Sequence, residues 1–348
     1  MHFQPTQDQR DLRAGVRDLL ERRYGREALR ASVDSGTSVD RGLWRELGRA
    51  GFFALRLPES EGGVGLGLPE AAIVFEEAGR ALVPGPLVAT HLAAGVVPGA
   101  AAGTAVVTAF DLGGDLVAYL GEADAVLGAD GLPDGEPVRA ADPLTPLHRV
   151  RRRDGADAPG AGPAPGSAYG SAPRSAPGSE PRSAPGSEPR SEPRSAPGSA
   201  PRSEPGSAYV SEGALLTAAL QVGSALRTLE LAVRYAGERE QFGQPVGAFQ
   251  AVKHLCAQML VRAEVARTAV YAAAVTGGPG EVAAAKLLAD EAAVLGARDC
   301  LQVYGGMGFT WEADVHLHLK RAWVRAEQWR TAAEAEELLA AELLDPAR

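Results

Sequence analysis

From Ser171 to Gly206 the chain repeats one tetrad, Ser-Ala/Glu-Pro-Arg/Gly, nine times in succession. Proline at every fourth position removes a backbone donor and crowds the preceding turn, so neither a helix nor a β-ladder can run through it. The tract also has nothing apolar to bury. Residues 154–208 are therefore expected to be a disordered insert, preceded by Arg151, Arg152 and Arg153 as a solvated loop. Whatever folds lies on either side of it.

Those flanking parts favour helices. Hydrophobic residues make up 45% of the 348 and aromatics only 5%, so Leu, Ala and Val must do the packing. The formal charge of −9 argues against a nucleic-acid partner, whose phosphates demand a basic face. Cys256 and Cys300 fall inside helical patterns without metal-ligand spacing, which reads as two reduced core thiols in a cytoplasmic protein and no metal site. The opening MHFQPTQDQRDLR has no apolar signal-peptide core. The uncharged stretch Ala81 to Phe110 carries Pro84, Pro86, Pro98, His91 and several glycines, so it is expected to be a buried segment and not a membrane span.

Thr6 and Gln9 fit a capping box ahead of Leu12, Val16, Leu19 and Leu20 on one helical face. A second helix is predicted around Leu43, Trp44, Leu47 and Ala50, ending at Gly51, and a third from Pro69 to about Ala81. From Thr104 to about Leu127 the pattern turns to short β-like runs, which are expected to stop before Asp142 to His148. Beyond Tyr209, Leu215, Ala219, Val222, Leu226, Leu229, Val233 and Ala236 recur at steps of four and three. Phe249, Val252, Cys256, Met259, Ala263, Ala266, Val270 and Ala273 repeat the pattern. A third helix through Ala285, Leu288, Ala292 and Leu295, and a fourth from Asp314 to about Leu344, complete a predicted four-helix bundle. The expected class is mainly α, with an N-terminal helical domain (1–102), a reduced middle β domain (103–153), the insert (154–208) and a C-terminal bundle (209–348).

Two motifs in the bundle carry chemistry. Glu238-Arg239-Glu240-Gln241-Phe242-Gly243, followed by Phe249-Gln250 and Lys253-His254, spans one helix end, a turn and the next helix start. A permanent cation there, beside a glycine that admits close backbone approach, suits a pyrophosphate. Gln302-Val303-Tyr304-Gly305-Gly306-Met307-Gly308-Phe309 sets three glycines after a helix, where a planar group could lie against the main chain. Taken singly, the first is equally a solvated cap and the second a turn. His316 and His318, two apart in a helix, face different ways and make a poor metal pair.

In combination, ReQFG…FQavKH and QvyGGmGFtwE resemble the C-terminal domain of acyl-CoA dehydrogenases, and LWRELGRAGFFALRLPESEGGVGLG with FEEAGRAL resembles that family's first helical domain. The resemblance implies FAD bound at subunit interfaces of a homo- or heterotetramer, an acyl-CoA substrate, and an electron-transfer flavoprotein or similar acceptor. By position it assigns Arg239, Gln241, Phe242, Gln250, Gln302, Gly305 and Gly306 to a neighbouring subunit's FAD. The implied reaction is α,β-desaturation: a carboxylate takes the α proton while the β hydride goes to the flavin.

The family places its carboxylate in one of two places, and the chain departs from both. The stretch expected to hold Tyr-Glu-Gly-Thr reads Arg325-Ala326-Glu327-Gln328-Trp329. Counting back from Arg239 to the other place lands on Gly213, with Glu212 one residue off and Ala214 where an Arg often stands. Glu212 is thus the candidate base and Glu327 the alternative, with surface solvation the competing role for each. The middle domain is also short, and Val107 to Asp115 is a degenerate remnant of the family's flavin-ring segment. These departures share a direction, because what survives is what a subunit offers its neighbour. The chain therefore resembles one partner of the heterotetrameric, steroid-catabolism-type members. A non-catalytic subunit that completes a partner's FAD site is the rival reading, and a flavin-dependent monooxygenase or oxidase on the same fold is a third.

Overall fold

The structure, a computed structural model, describes residues 5–36, 38–150 and 205–344. The repeat tract and the arginines before it lie outside the described residues, apart from the last two repeat residues.

Among the described residues, five α-helices precede the β region: α1 (Gln7–Arg23), α2 (Arg26–Ser35), α3 (Arg41–Arg49), α4 (Leu68–Arg80) and α5 (Leu87–Leu92). Thr6 caps α1 with the reciprocal hydrogen bonds of a capping box, Gln9 N–H to Thr6 Oγ1 and Thr6 N–H to Gln9 Oε1. Pro69 stands in the first turn of α4 as expected, whereas α2 and α5 carry no strong sequence pattern. The uncharged stretch after α4 is buried in part: Leu82, Val83, Leu87, Val88, Leu92 and Val106 join the main core, whereas Val96 and Phe110 are exposed.

α4 is the hub. Gly79 of α4 and Gly223 of the following bundle helix allow the two backbones to touch, since a Cβ on Gly223 would lie 1.8 Å from the Glu76 carbonyl oxygen. Glu76 and Glu77 are both buried on α4. Arg17 grips Glu77 through two hydrogen bonds of 2.8 and 2.7 Å, while Arg267 and the Tyr271 hydroxyl reach Glu76 from the other side. Burial pushes the Glu76 carboxyl up in spite of these partners.

The middle strands are short. β1 (Val107–Thr108) pairs in parallel with β3 (Ala125–Val126), and β2 (Leu116–Ala118), β5 (Leu147–Val150) and β4 (Gly135–Val138) form an antiparallel sheet in the order β2-β5-β4. The expected end of strands before Asp142 is corrected by β5, which follows it. Asp142 is fully buried, receives the Leu144 N–H (3.1 Å) and the Thr145 hydroxyl (2.6 Å), and is ion-paired with buried Arg321. That turn redirects the chain into the sheet.

The C-terminal helices are α6 (Pro205–Glu238), α7 (Gln250–Thr276), α8 (Pro279–Tyr304), α9 (Val315–Glu327) and α10 (Ala332–Leu344). α6 starts at Pro205, inside the last tetrad and a little ahead of the expected boundary, where a first-turn proline is tolerated. The single fourth helix expected over 314–344 is instead broken at Gln328-Trp329-Arg330 into α9 and α10. The seam of α7 is buried at Met259, Ala263, Ala266, Val270 and Ala273, as predicted, but Val233 of α6 is 52% exposed and Leu288 of α8 36%. One core joins α1, α3, α4 and α5 to the bundle helices, and a second, around Leu231, Ala236, Met259, Cys300 and Val315, fills the far end of the bundle.

Candidate functional site

The far end of the bundle brings both motifs together. The Tyr235 ring, one turn before the end of α6, stacks on Tyr304, the last residue of α8, with centroids 4.1 Å apart and planes 15° from parallel. The Tyr235 hydroxyl donates to the Tyr304 carbonyl (3.4 Å), and the Arg239 N–H donates to the Tyr235 carbonyl (2.9 Å). Arg239 and the Gly305 corner are therefore anchored to the two halves of one stacked pair. Tyr304 stood inside the second motif without a role, and Tyr235 was not singled out.

Beyond Arg239 the chain makes a two-residue hairpin, β6 (Glu240–Gln241) with β7 (Gln244–Pro245). Its turn residues Phe242 and Gly243 both have positive φ, 56° and 79°, the primed geometry that suits strand twist. A non-glycine there costs about 1–2 kcal/mol. Phe242 nevertheless stands 92% exposed, its edge on Phe249 at 6.0 Å. The Gln241 amide donates to the Glu240 carbonyl (2.7 Å), and Gln250 Nε2 meets His254 Nε2 at 3.0 Å. Gln302 and Gly306 are exposed.

FAD fits this surface on three counts. Arg239 is exposed and pairs with no carboxylate among the described residues, so its guanidinium is free for a phosphate. A Cβ on Gly305 or Gly306 would meet nothing within 4 Å, so the corner is open to a planar group from outside the chain. The exposed Phe242 ring offers that group an apolar face.

The candidate bases lie elsewhere. Glu212, near the start of α6, is ion-paired with Arg56, and its Oε1 is 3.8 Å from Nε2 of buried His91. Burial lowers His91 to about 4 although Glu212 opposes the shift. Glu212 is thus held in a cluster with the N-terminal helices, where solvation alone was the competing expectation. Glu327 is exposed on α9.

Gly213, where the count from Arg239 lands, meets the end of the stretch set against Tyr-Glu-Gly-Thr. A Cβ on Gly213 would sit 2.3 Å from Trp329 Cδ2, so the indole packs against bare helix backbone. Trp329 has φ 64°, fixed by its N–H donating to the Asp111 carbonyl (2.6 Å), while Gln328 donates to Asp111 Oδ2 (2.8 Å). Burial raises the Asp111 carboxyl to about 7. The cavity bounded by Trp329, Asp111, Tyr119, Thr145 and Leu220 measures only about 20 Å³, enough for a water molecule and no acyl chain.

The remaining candidates have structural surroundings. His318 is buried with Nδ1 2.8 Å from the Ser224 hydroxyl, whereas His316 stacks on Trp311 at 5.0 Å. Cys300 is buried and pushed up to about 12 by desolvation; Cys256 is only half-buried, which corrects its reading as a core thiol. Among the described residues no group of three His, Cys, Asp or Glu could hold a metal, and no helix is long and apolar enough to cross a membrane.

Comparison with known proteins accords with this geometry. Residues 6–108 match the family description "Acyl-CoA dehydrogenase, N-terminal domain", and residues 208–332 match "Acyl-CoA dehydrogenase, C-terminal domain". The chain is 34% identical to acyl-CoA dehydrogenase IpdE2 of Mycobacterium tuberculosis, an alignment that covers 91% of this chain and 92% of the relative. Among solved structures, one chain of the ChsE4–ChsE5 complex of M. tuberculosis superposes with a TM-score of 0.76 at 22% identity, over all of this chain and all of that one. The Tcur3481–Tcur3483 steroid acyl-CoA dehydrogenase does so with 0.70 at 21% identity, over 97% of each.

Proposed function

We propose that this chain, which belongs to the acyl-CoA dehydrogenase family, works as one subunit of a hetero-oligomer and offers its bundle end to an FAD held mainly by an unlike subunit. The family reaction is FAD-dependent oxidation of a CH–CH bond in an acyl-CoA thioester, with FAD accepting the β hydride. The observation that carries the proposal is the Tyr235–Tyr304 stack, which joins Arg239, without a carboxylate partner among the described residues, to a glycine corner open to the outside. In this reading Arg239 neutralises pyrophosphate charge, Gln241, Gln250 and Gln302 supply amide hydrogen bonds, and Phe242 with Gly305 and Gly306 receives the flat end of the dinucleotide. The likeness to a complex of two named chains, ChsE4 and ChsE5, supports the pairing. A cytoplasmic location and an electron-transfer flavoprotein or similar acceptor belong to the same reading, with a fatty or steroid acyl-CoA as substrate.

A second reading, in which this subunit supplies no base and no acyl pocket, is favoured by the Gly213–Trp329 contact and the small size of the cavity beside it. Glu212 would then serve only to tie α6 to Arg56 and His91. The experiment is co-expression with the acyl-CoA dehydrogenase encoded nearest to it, followed by an absorbance spectrum and flavin count. A yellow complex with fewer flavins than subunits, and a colourless chain alone, are expected. Full flavin loading and turnover by the isolated chain would refute the proposal. Glu212→Gln in the active complex separates the readings: unchanged turnover leaves the base with the partner, and a loss of several orders of magnitude makes Glu212 the base.

A further inference from the structure

A much larger cavity, about 600 Å³, lies away from the small one, between α1, α2 and α4 on one side and α6, α9 and the turn before α9 on the other. That volume is in the range of small-molecule sites, roughly 300–1,000 Å³. Its floor is apolar, with Leu20, Leu82 and Val315 at 1% exposure and Leu29 and Leu231 at 8%. Around these stand five guanidinium groups and the carboxylates of Glu21, Glu77, Glu312 and Asp314, with Glu21 and Glu312 exposed to solvent; four of the guanidiniums are already committed. Arg17 is held by Glu77, Arg26 by Asp314, and Arg80 and Arg227 by Glu230. The fifth, Arg234, is exposed at the cavity and has no carboxylate partner among the described residues.

We infer that this cavity is a binding site for a small amphipathic carboxylate, a single anionic head on an apolar body. One spare guanidinium suits a monoanion gripped by two parallel hydrogen bonds. The leucine floor takes the apolar body, whose burial supplies most of the affinity. The ion pairs that hold the other four arginines brace the walls, so the site is formed before its ligand arrives. The cavity shares no lining residue with the small one at Trp329.

The test is isothermal titration calorimetry of decanoate into the full-length chain, with acetate as the head alone and decanamide as the uncharged body. Arg234→Gln removes the cation, and Ala313→Leu fills the cavity from a partly exposed position. Saturable one-to-one binding of decanoate is expected, weakened roughly tenfold or more by R234Q and abolished by A313L, with acetate silent and decanamide weak. Circular dichroism melts verify that both variants fold. No saturable decanoate binding, binding indifferent to both substitutions, or equal binding of decanamide would each overturn the inference.

Discussion

Gly213 and Trp329 touch: a side-chain carbon on the first would begin 2.3 Å from Cδ2 of the second. The contact is an indole laid against naked helix backbone. The pairing is mutual, since the ring fills the space that the glycine leaves and the glycine admits the ring.

Gly213→Ala should therefore lower stability by about 1–3 kcal/mol through overpacking, although alanine is the better helix former. Pairing it with Trp329→Ala should recover part of that loss. Urea melts of the two single variants and the double variant, set in a mutant cycle, measure the coupling. Additive effects would mean that the two residues do not meet.

Arg239→Gln should leave the melt of the isolated chain within about 0.5 kcal/mol of the parent, because nothing in the described chain leans on that guanidinium. In the assembled complex the same substitution should weaken FAD binding at least about tenfold, read by flavin titration. A variant complex that retains flavin like the parent would remove Arg239 from the cofactor site.

Asp142→Asn should be among the most damaging single changes, costing about 3–5 kcal/mol. It leaves the buried Arg321 charge without its counter-ion. A thermal melt within a degree or two of the parent would contradict the ion pair.

His91 is neutral in the folded chain down to about pH 4, while an unfolded histidine protonates near 6.5. Between those values the unfolded state binds more protons, so acidification removes stability and raising the pH restores it, by on the order of 3 kcal/mol across the window. Other buried groups titrate in the same range, so the contribution is isolated by comparing the parent with His91→Gln. The difference in unfolding free energy between them should change from pH 6.5 to 4 and be flat above 7. A histidine that titrates by NMR near 6.5 would defeat this.

Much of the helical frame was legible because it is written locally. The Thr6 and Gln9 cap, Pro69 at the head of α4, and the seam from Met259 to Ala273 are short-range signals that survive in the fold. The seam of α6 was readable only in part. Val233 stands five full turns beyond Leu215 and so on the same face, yet it is exposed because what covers that face changes along the helix, which the repeat does not encode. The break at Trp329 carried no glycine or proline to announce it, because it is imposed by Asp111, more than two hundred residues away in the chain. The partners of Glu212, Arg56 and His91, were hidden for the same reason. At the candidate FAD surface the motif residues could be named, but not the Tyr235–Tyr304 stack that sets them side by side.

Phe242 holds almost its whole ring in water, on a backbone twist that resists relaxation. The turn beneath the ring is already set, so a surface that covered it would meet a fixed apolar knob and spend little on ordering the backbone.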